Sequence, residues 1–339
     1  MKKFIYNSAK FIEYFKSKGY TYENYPSRLN KRGTIFPLLQ PPIENPVVFY
    51  PYYGEFGRAI ARHIVWFHYL PAKYKIACVP KGYECFFPSA NEVIHDYRGP
   101  KWNEYKREWL GIDVATNTYR GWDAKPQKGT YMKLKRHFQW KLDINSPIRH
   151  EFKKSISKIH PNATYFDAPD YHPVDPYFGI PTIPLMKIPF NNPNKYGIKV
   201  DVVFSNRKFE KDKRSFQKWP EIIKHLQSKG LSVGGIGMKD IMFDVGNIPH
   251  NCDYDNPNEA MIEMFSNAKY YIGTDTGSTH VGLNFTHLKS LLFRARDDSP
   301  NWIKMHQTEN TRYVKEMSKS LYKFNDEKIL IKHIDEFFA

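Results

Sequence analysis

The residues best suited to chemistry in this sequence form the run Asp-Thr-Gly-Ser-Thr-His at 275–280, shortly after an apolar stretch at 270–272. A strand that turns directly into a helix leaves the first backbone N–H groups of that helix, here those of 276–279, without intrahelical partners. Such groups bind phosphate oxygens, and a glycine lets the ligand approach the backbone closely. The pattern therefore predicts a diphosphate site, with a simple helix cap formed by Asp275 and Ser278 as the alternative. The residues predicted to form the site are Asp275, Thr276, Gly277, Ser278 and His280.

A second candidate for binding phosphate lies earlier, where a basic loop separates a predicted strand from a predicted helix. Ser205 and Arg207 follow the strand, and Lys218 stands two residues before Pro220, which suits the first turn of a helix. A lysine at this point offers a point charge to a phosphate group. A solvated run of charges remains the alternative reading of the loop. Asp240, which follows a glycine-rich stretch, is a candidate for contacting a ribose.

Lysine and arginine exceed aspartate and glutamate by 16, which favours a polyanionic partner such as nucleic acid, a phosphorylated glycan or an anionic membrane face. Half of this excess lies between Arg120 and His160, where the net charge is +8. Aromatic residues interleave with these charges, as on surfaces that stack on bases and contact phosphates. A solvated basic helix face is the alternative. The residues predicted to contact a polyanion are Lys133, Lys135, Arg136, Trp140 and Lys141.

Strands alternating with helices predict an α/β protein with parallel sheets. Strands are predicted at 47–50, 74–79, 92–95, 199–205, 231–236, 269–272 and 290–293. Helices are predicted at 58–69, 102–110, 131–142, 147–159, 219–229, 258–267, 278–285 and 326–338. Such domains bind ligands at the carboxyl ends of their strands.

The domain boundaries are predicted from proline-rich stretches, one after residue 36 and one with eight prolines between residues 160 and 198. We expect an N-terminal appendage at 1–45, two α/β domains at 46–185 and 186–325, and a C-terminal helix at 326–339.

Several classes of protein are disfavoured by what the 339 residues lack. No apolar run has the length of a membrane span, and the N-terminus lacks a signal-peptide core. Three scattered cysteines indicate reduced thiols in a cytoplasmic protein. Neither a dinucleotide fingerprint nor a P-loop is present. The Asp253-Tyr254-Asp255 run has the form of a metal–nucleotide motif, but acids in such a loop commonly serve as helix caps, and no metal site is expected.

The two phosphate-binding candidates together resemble a known family. Lys218-Trp219-Pro220, a helix ending at Gly230, and then Asp275-Thr276-Gly277-x-x-His280 are similar to glycosyltransferase family 9, the lipopolysaccharide heptosyltransferases. The resemblance extends over residues 199–295. It implies the GT-B fold, in which two Rossmann-like, doubly wound domains face a central cleft. By this resemblance, 46–185 would be the acceptor-side domain and 186–325 would be the donor-binding domain.

The resemblance also implies roles for individual residues. Lys218 would contact the diphosphate of a nucleotide-sugar donor, and the turn at 275–277 would line the donor pocket. Glu55, in the place where the family carries an acidic residue after the first strand, would act as general base. The expected activity is inverting glycosyl transfer that needs no cofactor or metal besides the nucleotide-sugar co-substrate. A plain turn residue that caps the following helix is the alternative for Glu55.

Two acceptors remain open from the sequence. The resemblance implies a phosphorylated surface saccharide of the lipopolysaccharide type, modified in the cytoplasm or at the inner face of the membrane. The basic segment with its aromatics instead favours DNA, with the sugar transferred to a hydroxymethylated base, as in phage DNA-modifying enzymes. A binding module that has lost catalysis is a third alternative.

Overall fold

The structure is a computed structural model that describes residues 42–50, 60, 63–79, 81–95, 147–166, 187–205, 218–237, 246–274, 276–293, 310–314 and 327–339. These residues belong to two compact units, one within 42–166 and one within 187–339. Each unit is a parallel sheet with helices, which confirms the predicted α/β class with two doubly wound domains.

The first unit contains four short parallel strands in the order β3-β2-β1-β4. Their bounds are β1 (Val47–Phe49), β2 (Lys75–Cys78), β3 (Glu92–Ile94) and β4 (Thr164–Phe166). The chain moves outward from β1 to β3 on one side and returns to β4 on the other side, so the strand order reverses between β1 and β4. Open α/β sheets bind ligands at such a reversal, just beyond the carboxyl ends of the strands.

Helices α1 (Ile64–Tyr69) and α2 (Pro147–Ser157) pack on the first sheet. Successive strand residues point to opposite faces. Val48 and Tyr50 therefore share a core with Phe152 and Ile156 of α2, while Phe49 packs its ring 4.6 Å from that of Phe67 in α1. A 3₁₀ turn at Glu84–Phe86 connects β2 to β3.

The second unit contains five parallel strands in the order β6-β5-β7-β8-β9. Their bounds are β5 (Val202–Ser205), β6 (Val233–Ile236), β7 (Tyr270–Thr274), β8 (Lys289–Phe293) and β9 (Thr311–Val314). The strand order reverses between β5 and β7. This is the order of the flavodoxin-like folds, whose ligands bind at that reversal.

Within the described residues, four α-helices cover the two faces of the second sheet, namely α3 (Trp219–Ser228), α4 (Pro257–Asn267), α5 (Gly277–Gly282) and α6 (Glu327–Phe338). On one face α3 and α6 share a core with the strands, to which α6 contributes Leu330 and Ile334. On the other face Phe265 of α4 lies against Tyr271 of β7, with ring centroids 5.2 Å apart. α3 begins with a proline in its first turn and ends before Gly230, whose φ of 77° suits a glycine.

The strands predicted from the sequence are confirmed to within three residues at each end. Two strands were not predicted: β4 lies inside the proline-rich stretch assigned to the domain boundary, and β9 is a short edge strand. The helix expected at 278–285 ends three residues earlier. Helices predicted at 102–110 and 131–142, and the N-terminal appendage up to residue 41, lie outside the described residues, and the exact domain boundaries stay predictions.

A buried carboxylate fixes the extended segment that enters β5. Glu263 of α4 is fully buried, and its carboxylate accepts the backbone N–H groups of Lys195, Tyr196 and Ile198 at 2.7–3.0 Å. Burial alone would raise the pKa of Glu263. The hydrogen bonds to its charged form lower the pKa by more than burial raises it, so the net shift is downward. The carboxylate therefore stabilises the fold while it is ionised.

We predict that Glu263→Gln lowers the free energy of unfolding by about 2–3 kcal/mol at pH 7, because a neutral amide replaces the charged acceptor. A lowered carboxyl pKa means that the stabilisation is present above the unfolded-state pKa, near 4.5, and is lost as pH falls through the folded-state value. The wild-type and variant free energies should therefore converge below about pH 4.5.

Urea unfolding at several pH values measures both effects. Glu221→Gln, which removes an exposed carboxylate on α3, is the matched control and should change the stability by less than about 0.5 kcal/mol. Equal stabilities of the wild type and Glu263→Gln at pH 7 would contradict the anchoring role.

Candidate functional site

Side chains from β5 and from the β7–α5 turn meet at the reversal of strand order in the second sheet. Ser205 is the last residue of β5, and Thr276 comes directly before α5. Their hydroxyl oxygens lie 3.1 Å apart although the residues are 71 positions apart in the chain. Two of the residues predicted for the donor site are therefore in contact.

Five hydroxyl groups, which we call the hydroxyl cluster, are joined at this point. They belong to Ser205, Tyr271, Thr276, Ser278 and Thr279. Thr276 Oγ1 lies 2.9 Å from Ser278 Oγ and 3.1 Å from Thr279 Oγ1. Ser278 Oγ lies 3.3 Å from Ser205 Oγ, and Tyr271 Oη lies 2.7 Å from Thr279 Oγ1.

The directions of these hydrogen bonds follow from counting protons. Thr279 donates its hydroxyl proton to the carbonyl oxygen of Thr274, which can only accept. Tyr271 and Thr276 must then donate to Thr279 Oγ1. With the proton of Thr276 used in this way, Ser205 donates to Thr276. Ser278 then has a single proton for its contacts with Thr276 and Ser205. The protons therefore run inward, toward the carbonyl at the end of β7.

Ser278 differs from the rest of the hydroxyl cluster in its exposure and in its contacts. It is half-buried, whereas the other four side chains are at most 8% exposed. Its contact with Ser205, at 3.3 Å, is also the longest in the cluster. If Ser278 turns its proton to a ligand, it loses only its own hydrogen bonds to Thr276 and Ser205, and the hydrogen bonds among the four buried hydroxyls stay in place. Ser205 and Thr276, also predicted to contact the donor, use their hydroxyls internally.

Burial keeps Tyr271 a hydrogen-bond donor. The side chain is fully buried, and this desolvation raises its pKa to about 12, although the hydrogen bonds from the cluster oppose the shift. The phenol is therefore protonated at neutral pH. The side chains of Tyr271 and Thr279 were not predicted to belong to the site. Their signal in the sequence is one hydroxyl residue before the Asp-Thr-Gly turn and one after it.

The backbone at the start of α5 differs in part from the expectation. The N–H of Thr279 donates to the carbonyl oxygen of Thr276 at 3.1 Å, so the expectation that it lacks a partner is wrong. The side chain of Thr276, the residue that precedes α5, makes no capping hydrogen bond to the helix backbone. Asp275 lies outside the described residues, so the alternative in which Asp275 and Ser278 cap the helix stays a prediction. The side chains in this turn bond mainly to one another.

The side chains of Lys187 and Asn284 form hydrogen bonds at the C-terminal end of α5. Lys187 is buried and donates its Nζ to the carbonyl oxygen of Leu283, and burial lowers the pKa of Lys187 to about 7. Asn284 accepts the N–H of Ile188 at 2.8 Å and donates to the carbonyl oxygen of His280. His280, predicted to face the ligand, is itself only 6% exposed.

Lys218 directly precedes the first residue of α3. Because α3 follows β5 and leads to the parallel strand β6, its first turn lies at the carboxyl edge of the sheet, as the hydroxyl cluster does. Lys218 is 36% exposed, and its Nζ lies 3.5 Å from Glu221 Oε1, an exposed pair that contributes little to stability. The lysine is therefore available to an anion at this edge.

Both carboxylates of the Asp-x-Asp run, those of Asp253 and Asp255, bond to other groups of the protein. Asp253 accepts the N–H of His250 at 2.9 Å and caps a 3₁₀ turn at Asn251–Asp253. Asp255 forms an ion pair with Lys195 and accepts the hydroxyl of Tyr196. Asn256 is the residue that caps α4. Within the part of the chain that the structure describes, no group of three or more His, Cys, Asp or Glu side chains is arranged to hold a metal ion.

Several predicted residues lie outside the described residues, so their roles stay predictions. They are Glu55, Arg207, Asp240, Asp275, Lys133, Lys135, Arg136, Trp140 and Lys141. All three cysteines are described, and each is a free thiol. None of the described helices combines the length and the apolar character that a membrane crossing requires.

Comparison with solved structures finds likenesses of low sequence identity. The E. coli ADP-heptose lipopolysaccharide heptosyltransferase II matches with a TM-score of 0.46 and 11% identity, over 86% of this chain and 98% of that chain. A family 9 glycosyltransferase from Veillonella parvula matches with a TM-score of 0.45 and 13% identity, over 80% and 85%. E. coli heptosyltransferase WaaC with ADP-2-deoxy-2-fluoro heptose matches with a TM-score of 0.40 and 12% identity, over 86% and 99%.

The chain is similar to family 9 glycosyltransferases. This is the family that the two sequence motifs resemble. At the level of sequence, no family model and no curated protein matches the chain.

Proposed function

We propose that the protein is a glycosyltransferase that transfers a sugar from a nucleotide-diphosphate donor, with inversion and without a metal, to an anionic acceptor. The observation that carries this proposal is the hydroxyl cluster at the reversal between β5 and β7. It links Ser205 to the Thr276–Ser278 turn at the edge where such sheets bind ligands. The Lys218 and Asp275-Thr276-Gly277 motifs add the resemblance to a known donor site.

The donor diphosphate would contact the groups at this edge that can still change partners. Ser278 can redirect its hydroxyl proton outward, and Gly277 beside it has no side chain to limit approach. Lys218 supplies positive charge, which an inverting transfer needs where the diphosphate leaves. Arg207, in the same basic loop, is proposed to add a second positive charge.

The general base is proposed to come from the first unit. Glu55 follows β1, the strand beside which the order of the first sheet reverses, so its place in the chain is just beyond a predicted ligand-binding edge. An acceptor hydroxyl must lose its proton as it attacks the sugar, and a carboxylate is the group suited to take that proton. The free cysteines suit the reducing cytoplasm, where we place the reaction.

We predict that one nucleoside diphosphate among ADP, UDP, GDP and CDP raises the midpoint of thermal unfolding, because a ligand that binds only the folded state stabilises it by RT ln(1 + [L]/Kd). Lys218→Met and Ser278→Ala should each weaken that binding by about tenfold. Lys224→Met removes an exposed lysine from α3 and should leave the affinity unchanged. If none of the four nucleotides shifts the midpoint at millimolar concentration, the proposed donor site is wrong.

We predict that Glu55→Gln reduces turnover by about 10²–10⁴, because the amide cannot accept the acceptor's proton. The affinity for the nucleoside diphosphate should stay nearly the same, since the donor site belongs to the second unit. Turnover is measured with the donor sugar and an acceptor that the wild type uses. A Glu55→Gln rate equal to that of the wild type would refute the role of the base.

Two acceptors remain candidates because both are polyanions. The described part of the basic segment includes α2, where Lys153 and Lys154 are exposed, and Lys158, which directly follows α2 and is also exposed. This supports an acceptor rich in phosphate, of which a phosphorylated surface saccharide is the first candidate. The high charge density between Arg120 and His160, with its interleaved aromatic residues, favours DNA as the second candidate.

A titration with duplex DNA at several salt concentrations separates the two acceptors. If DNA is the acceptor, the logarithm of the binding constant should fall linearly with the logarithm of salt concentration, by about 0.9 for each phosphate contacted. Absence of binding at low salt would eliminate DNA and leave the phosphorylated saccharide.

A further inference from the structure

The side chain of Tyr271 extends from β7 toward α5, and a neighbouring glycine without a side chain leaves room for its ring. Gly273 lies two residues further along β7, on the same face of the strand. A Cβ atom at Gly273 would lie 2.6 Å from Tyr271 Cζ, closer than such atoms approach. The tyrosine ring therefore lies over Gly273 and brings its hydroxyl to Thr279 at the start of α5.

The hydroxyl that Tyr271 reaches has all of its hydrogen-bonding positions filled. Thr279 Oγ1 donates to the carbonyl oxygen of Thr274 and accepts from Tyr271 and Thr276. A hydroxyl has one proton and two lone pairs, so this set is complete. A buried group with all of its partners holds one orientation, and the loss of a partner leaves a desolvated lone pair.

Thr276 connects this buried centre to the half-exposed edge of the cluster. Its hydroxyl contacts Thr279 on one side and Ser278 and Ser205 on the other. The side chain of Thr276 is positioned by Thr279, which is fixed by Tyr271, and Ser278 lies in the turn between Thr276 and Thr279. The links from Tyr271 to Thr279 and from Thr279 to Thr276 are hydrogen bonds between two hydroxyls, so removing one oxygen tests them.

We propose that Tyr271 is a positioning residue for the donor site: its buried hydroxyl fixes Thr279 and thereby the turn that presents Ser278 to the donor diphosphate. This inference rests on the proposed function for its ligand, although the coupling between Tyr271 and the turn does not.

The test compares Tyr271→Phe with Tyr270→Phe. Each variant loses one phenolic oxygen from β7, but the ring of Tyr270 packs against Phe337 and Phe338 of α6, on the other face of the sheet. The probe is the nucleoside diphosphate, among ADP, UDP, GDP and CDP, that stabilises the wild type most. We expect Tyr271→Phe to weaken its binding by about fivefold to tenfold, as measured by calorimetry on folded protein, and Tyr270→Phe to leave it unchanged.

Variants of Thr279 separate positioning from general loss of stability. Thr279→Ser keeps the hydroxyl and should bind the nucleotide as the wild type does, whereas Thr279→Val should bind it as weakly as Tyr271→Phe. Because the two residues act in one chain, Tyr271→Phe should weaken binding little further in the Thr279→Val background. Equal affinity of Tyr271→Phe and the wild type, with only a lower melting temperature, would overturn the positioning role.

Amide hydrogen exchange tests the coupling without any ligand. Tyr271→Phe should speed exchange at Thr276–Thr279 and leave α3 unaffected, and unchanged exchange at the turn would overturn the inference. If no nucleotide binds the wild type, the proposed function fails while the exchange result still decides whether Tyr271 holds the turn.

Discussion

The contact between Ser205 and Thr276 joins the two strands whose order reverses, and the proposed function depends on it. Parallel strands can place two loops side by side at their carboxyl ends, but they leave a gap where the crossovers leave in opposite directions. Among the residues that the structure describes, the gap at the end of β5 and β7 is bridged by hydroxyl groups. Neutral hydroxyls are inexpensive to bury when they satisfy one another, and they leave the positive charge to Lys218 at the rim.

The elements around this contact are fixed by polar side chains that form hydrogen bonds to backbone atoms. Glu263 holds three N–H groups of the segment that enters β5. Lys187 and Asn284 form hydrogen bonds at the C-terminal end of α5, opposite the turn that carries Thr276 and Ser278. A helix of six residues has little stability of its own, so its position depends on such tertiary contacts.

The sequence was sufficient to predict most strands, because buried parallel strands appear as short apolar runs such as 202–205 and 290–293. It was insufficient for β4 and β9. Thr164-Tyr165-Phe166 has strand-forming residues but lies among prolines, and Thr311–Val314 is an edge strand with an arginine in it. The Asp-Thr-Gly turn was correctly placed after a strand. The hydroxyl cluster was not predicted, since the contact of Ser205 with Thr276 depends on strand order, which local patterns do not encode.

Positive charge alone would not determine how a phosphate group is oriented at the proposed site. A lysine at the rim attracts phosphate from any direction, because an ammonium group has no fixed geometry. Direction must come from groups whose orientation is already fixed before the ligand arrives, which lowers the cost of ordering them on binding. In the second unit those groups are hydroxyls whose protons are committed inward, up to Ser278. The one hydroxyl at the end of the chain is then free to change partner, and its position is determined by the buried residues that do not touch the ligand.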